Sequence, residues 1–205
     1  MRFWTYYKRD ETGGVSVEAA LLSGVMLMAS IIMFEAGWAF FQWNNAQQAA
    51  RLGGRLAATI NPVARDLTTM TGLGGGVEAG DPMPDYALNC FGKTQSCDQG
   101  GFDRVALEMI FYGPDNDGTC APAPRQRRGL CDVYSRLTLD NIDISYESSG
   151  LGRAGSPADP APLITITLKD IHFDFAILDR FTPSSLTTMP PVRVSVMGED
   201  LRSGS

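Results

Sequence analysis

The stretch that decides the fold is Ala19–Phe34, AALLSGVMLMASIIMF, followed by Glu35 and then AGWAFFQW up to Trp43. Counted across Glu35, this is a 25-residue apolar run holding one carboxylate. A bilayer core takes about 20 helical residues, so the run is long enough to span with some tilt. Phe3, Trp4, Tyr6 and Tyr7 precede it, and Phe34, Trp38, Phe40, Phe41 and Trp43 crowd its far end. Aromatics gathered at both ends form the pattern of interfacial belts. Arg2, Lys8 and Arg9 stand before the run, and the next basic residue is Arg51. The positive-inside bias therefore keeps the N-terminus in the cytoplasm and exports the remainder. A cleaved secretory signal has a shorter apolar core ending at small residues. A core helix of a soluble protein rarely stays apolar on every face. A membrane span explains the run better than either.

Outward from Trp43 the chain reads NNAQQAARLGGRLAATINP, helix-compatible until Asn61-Pro62. Ala46, Ala50, Gly54 and Ala58 recur every fourth residue, with Ala49, Gly53 and Ala57 as a second row beside them. Rows at that spacing lie on one helix face, here almost bare of side chains. Two adjacent glycines each cost about 1 kcal/mol against alanine, so a close contact must offset them. Two occupants fit: this chain's own sheet, or a helix of another subunit. From Val17 to Ile60 the helix is roughly 65 Å long, about twice the membrane core. The expected shape is a stalk carrying a head.

Charge and composition remove several classes of function. The 205 residues hold 17 Lys and Arg against 23 Asp and Glu, a net of −6, so no basic surplus exists to neutralise nucleic-acid phosphates. The single histidine, His172, leaves little for acid–base, triad or His-ligated metal chemistry. There is no G-x-S-x-G turn. Neither an enzyme nor a cofactor or metal is expected.

The exported part, residues 44–205, is loop-rich from Asn61 to Gly118, with Gly72–Gly76 and Asp81-Pro82-Met83-Pro84 as breakers. Val105–Tyr112 is a short apolar run that suits either a strand or a helical turn. Alternation of period two marks Leu137–Tyr146, Ile171–Phe175 and Val192–Val196, and Leu163–Leu168 is rich in β-branched residues. Ser148–Pro162, rich in Pro and Gly, reads as a long loop between two strands. The fold class is α+β: a long N-terminal transmembrane helix running into a head with a small antiparallel sheet. Cys90, Cys97, Cys120 and Cys131 would face an oxidising compartment and form disulfides. Three pairings are possible; Cys90–Cys97 with Cys120–Cys131 is favoured, because both close local loops. No C-x-x-C supports zinc. Asp115-Asn116-Asp117-Gly118 lacks the remaining ligands of a calcium loop and reads as a turn. Arg125–Arg128 reads as a solvated basic loop.

The junction before the apolar run is Gly13-Gly14-Val15-Ser16-Val17-Glu18-Ala19-Ala20-Leu21. A carboxylate at a membrane rim is costly unless paired or snorkelling, although a first-turn acid also gains from the helix dipole. A cut between Gly13 and Gly14 would make Glu18 the fifth residue and supply an α-ammonium at Gly14 to pair with it. This junction, the apolar helix with Glu35-Ala36-Gly37, and Ala49–Ala58 together resemble the TadE-like family, minor pilins or pseudopilins of the tight-adherence (Flp) pilus system. The resemblance covers about residues 8–60 and returns weakly at Val192–Met197. It implies a pilin-like head and removal of the leader after Gly13 by a prepilin peptidase. It also implies an assembly role for Glu18, and partners among pilin-type subunits and the inner-membrane pilus machinery. Ala19 stands where members often have Phe or Tyr, and Gly24 where many have Pro. Ala19 and the chain's length argue against the major Flp pilin.

The sequence thus divides into a cytoplasmic leader (1–13), a long helix (14–60, spanning at about 19–43) and an exported α+β head (61–205). The reading is a non-enzymatic minor pilin-like subunit or assembly factor in the bacterial inner membrane, its head periplasmic, or extracellular once in a fibre. The rival is a single-pass anchored periplasmic binding protein that never enters a pilus.

Overall fold

A computed structural model describes residues 12–115, 118–120, 126–155, 160–180 and 187–198. One helix, α1 (Thr12–Thr59), is 48 residues long, about 72 Å at the standard rise. Two shorter helices follow, α2 (Arg104–Tyr112) and α3 (Leu130–Val133). The strands are β1 (Ala87–Phe91), β2 (Ser96–Cys97), β3 (Ile142–Ser148), β4 (Pro162–Leu168) and β5 (Val192–Met197). They form one sheet in the order β2-β1-β3-β4-β5, and each neighbouring pair is antiparallel. The class is α+β.

Alternation along the central strands decides which face is covered. Ile142, Ile144 and Tyr146 of β3 and Ile164, Ile166 and Leu168 of β4 are all buried on one face of the sheet, which α1 covers at β4 and β5. The intervening Asp143, Ser145, Thr165 and Thr167 turn to the outer face, where Lys169 pairs with Asp143 at 2.5 Å. One hydrogen bond fixes the top of the stalk. Just past α1, the Val63 N–H donates to the Tyr146 hydroxyl at 2.9 Å, deep in the core. Burial pushes the Tyr146 phenol well above its usual range.

Val105–Tyr112 resolves as helix because Asp103 caps it: its carboxylate accepts the N–H groups of Val105 (2.9 Å) and Ala106 (3.1 Å). Ala106, Leu107, Ile110 and Phe111 then turn one face into the core. Two expectations need correcting. The stretch from Asn61 to Gly118, expected as loops, contains β1 and β2 as well. Cys90 lies directly opposite Cys97 in that hairpin, and the two are disulfide-bonded. Cys120 and Cys131 form the second disulfide. Conversely, Ile171–Phe175 is not a strand. His172 makes an isolated bridge to Thr188, and the following residues lie against α1. Of the weighed loops, Asn116, Asp117 and Arg125 fall outside the described residues.

Candidate functional site

α1 changes character at Glu35. Between Ser16 and Phe34 its side chains are exposed on all faces, Ile31 apart. Leu21, Leu22, Val25, Met26, Leu27, Met28, Ile32, Met33 and Phe34 are among the large apolar residues standing in the open. The segment's most apolar window has a mean hydropathy of 2.1 with none of it buried. Nothing among the described residues covers it.

From Glu35 onward the helix belongs to the head. Glu35 is 1% exposed, and its carboxylate accepts the N–H groups of Ala176 (3.1 Å) and Ile177 (2.7 Å). Gln42, two turns on, is 3% exposed. Its amide donates to the Asp174 carbonyl at 2.8 Å, and its oxygen accepts the Asp174 N–H at 3.0 Å. The two side chains hold the segment Asp174–Ile177 along the helix by its backbone alone. Arg136 adds an ion pair to the Asp174 carboxylate. These contacts satisfy the buried polar atoms of Glu35 and Gln42, which would otherwise be costly.

The same face continues upward as Ala46, Ala49, Ala50, Gly53, Gly54 and Ala57, all buried, with Ala58 at its margin. Its occupant is the chain's own head. A Cβ on Gly53 would come within 2.9 Å of Leu130 Cδ1 and 3.1 Å of Ile166 Cδ1. On Gly54 it would come within 2.9 Å of Val196 Cγ2. The two glycines let α3, β4 and β5 approach the helix backbone. Gln48, Arg51, Arg55 and Thr59 point outward from the same turns and are exposed.

The remaining sequence candidates lie elsewhere. Gly13 and Gly14 sit in the first turn of α1, and residues 1–11 of the leader are outside the described residues. Glu18 is exposed near that end, and among the described residues it joins no ion pair. It stands 28 residues from Ala46, about 42 Å along the helix, so the junction and the small-residue face are separate features. The sequence marks Glu35 as the lone carboxylate of the run but gives it no partner, and it does not mark Gln42. The available signal was a lone carboxylate inside an apolar helix, with an amide seven residues later on the same face.

Outside the helix, a shallow groove of about 480 Å³ crosses the outer face of the sheet between Asn89, Asp143, Glu147, Lys169 and Arg193. It mixes both signs of charge and contains no cysteine thiol or histidine. Beside it, the Asn89 backbone and side-chain donors hold the Asp98 carboxyl below its ordinary range.

No curated protein and no solved structure shows a match to this chain. The closing strand Val192–Met197 lies outside the region matched by a family model. That region, residues 13–55, covers α1 from its glycine junction through Gly53 and Gly54 and fits the family described as TadE-like protein.

Proposed function

We propose that the chain is a minor pilin-like subunit or assembly factor of a tight-adherence pilus. It acts by anchoring and packing rather than by catalysis. A TadE-like helix suggests a Tad pilus-associated protein, and the observation that carries the finer reading is how that helix is divided. Residues 16–34 are apolar apart from Glu18 at the rim, uncovered among the described residues and about 28 Å long, the thickness of a bilayer core. Residues 35–59 are the spine of a disulfide-bonded head. The spanning part is accordingly about 16–34 rather than 19–43, because Glu35 and Gln42 are committed to the head. The basic leader supports an N-terminus in the cytoplasm and a head in the periplasm. A prepilin peptidase removes residues 1–13, leaving Glu18 near the new terminus to pair with a pilin-type neighbour.

The face filled by the head is unavailable to neighbours. Pilin-type helices would therefore pack on the uncovered apolar half and on the outward Gln48–Arg51–Arg55 face. Mass spectrometry of the chain recovered from envelopes of a pilus-producing host tests the reading. The expected mature protein begins at Gly14, Gly13→Val accumulates precursor, and crosslinking captures pilin-type subunits. An intact leader with no such adducts would leave the permanently anchored binding protein as the account.

A further inference from the structure

The geometry points to a second membrane contact: the segment Phe173–Arg180, held on α1 by Glu35 and Gln42, rests in the outer leaflet of the membrane and seals the Glu35 carboxylate from lipid. This rests on the reading of residues 16–34 as the span.

The argument begins with height. Nineteen residues from Ser16 to Phe34 fill about 28 Å of hydrocarbon. Glu35, the next residue, therefore lies at the boundary where hydrocarbon gives way to headgroups. The backbone that satisfies Glu35 is at Ala176 and Ile177, so those residues lie at that height too. Head topology agrees. β3 and β4 have their Ser148 and Pro162 ends near the top of α1, where Tyr146 meets Val63. The Leu168 end of β4 points back down and feeds the Phe173–Arg180 segment.

Surface chemistry supplies the second part. Ile177 is 42% exposed, while Phe173 and Phe175 are half-buried and pack together at 5.9 Å between ring centroids. On α1 at the same level, Trp38, Phe40 and Phe41 are exposed, Trp38 stacking on Phe41 at 5.5 Å. By helical geometry, Trp38 and Phe41 lie together on one side of the Glu35 face and Phe40 lies roughly opposite it. Segment and aromatics together cover most of the helix circumference just above the hydrocarbon boundary. Amphipathic aromatics and aliphatics at this depth favour the interface. Asp179 and Arg180, both exposed, follow at headgroup level. Phospholipid is thus the occupant that continues the lipid-facing surface of the span without a break.

The test places a photo-crosslinking p-benzoylphenylalanine at Leu27, Ile177 or Leu151 of the full chain. The chain is reconstituted in phosphatidylethanolamine–phosphatidylglycerol vesicles with its disulfides intact. Leu27 reports the span; Leu151, exposed on the β3–β4 connection, reports the far end of the head. Lipid adducts at Leu27 and Ile177 but not at Leu151 are expected. Lipid adducts at Leu27 with none at Ile177, or with chain-to-chain adducts there, would overturn the proposed contact while leaving the span in place. Loss of adducts at Leu27 would overturn the span and, with it, this contact.

Discussion

The lower and upper halves of α1 are one continuous helix, yet they solve opposite problems. Residues 16–34 keep large apolar side chains on nearly every face and, Ile31 apart, stand exposed among the described residues. Residues 35–59 have one face reduced to alanine and glycine, and there the sheet comes close. Bulk outward suits a surface whose partner is fluid lipid, since no fixed complementarity is needed. Small residues suit a surface whose partner is a rigid sheet, where each added methyl meets an atom already in place. Glu35 marks the change: a carboxylate is tolerable in the apolar helix because the head supplies two N–H donors at that level.

The largest effect expected from this contrast is at the glycines. Gly53→Leu would drive side-chain atoms into Leu130 and Ile166. Overpacking of this kind costs about 1–3 kcal/mol, lowering the melting temperature of the detergent-solubilised full chain by several degrees. Gly24→Leu, with nothing within 4 Å of its would-be Cβ, should leave the midpoint unchanged. Equal responses at both glycines would erase the distinction between the halves.

Next comes the boundary. Glu35→Ala leaves the N–H groups of Ala176 and Ile177 without their acceptor, a loss of roughly 1–3 kcal/mol. Glu35→Gln, which keeps one accepting oxygen, should recover part of it. Denaturant midpoints of the three proteins measure this, and an alanine variant as stable as the parent would show that the segment is not held there.

A smaller effect sharpens the picture of the upper half. The Tyr146 phenol is neutral in the fold well above the pH at which it ionises in the unfolded chain. Its contribution is fully present below about pH 10 and declines above that, by about 1.4 kcal/mol per pH unit, because the unfolded state gives up the proton first. Tyr134, raised by burial as well, acts in the same direction. Tyr146→Phe should flatten the alkaline decline of the head's stability and also lower stability at neutral pH, since Val63 loses its acceptor. An unchanged alkaline slope would place the phenol outside the core contact.

The smallest expected change in stability is at Glu18. Glu18→Gln should not move the head's melting temperature, because that side chain touches none of the head. Its expected effect is weaker crosslinking to pilin-type subunits in the membrane. A shift in midpoint with crosslinking intact would reverse the assignment.

Sequence reading reached the helix, the α+β class and the strands β3, β4 and β5, because hydrophobic periodicity there is set by one buried face. It did not reach β1 and β2. Ala87–Phe91 and Ser96–Cys97 are too short for alternation to emerge from a Gly- and Pro-rich surround, and their pairing is fixed partly by the disulfide. Ile171–Phe175 misled for the opposite reason. Its alternation is real, but Ile171 and Phe173 bond only to Met189 and Thr187 around a single isolated bridge, and from Asp174 the backbone turns to the Gln42 side chain. The small-residue rows told of a close approach without naming the occupant, which depends on tertiary contacts with Leu130, Ile166 and Val196. Glu35 was visible as an oddity, but its partners lie more than 140 residues away along the chain.

Hydrogen exchange on the full chain in lipid vesicles, at a urea concentration past the head's unfolding midpoint, tests the division of α1 most directly. Backbone amides inside a bilayer keep their helical bonds because no water is there to replace them, whereas amides of the head exchange once it opens. The account predicts that amides of residues 20–33 stay protected while those of 46–58 exchange together with the sheet. Exchange of both halves as one unit, or protection of both under those conditions, would contradict it.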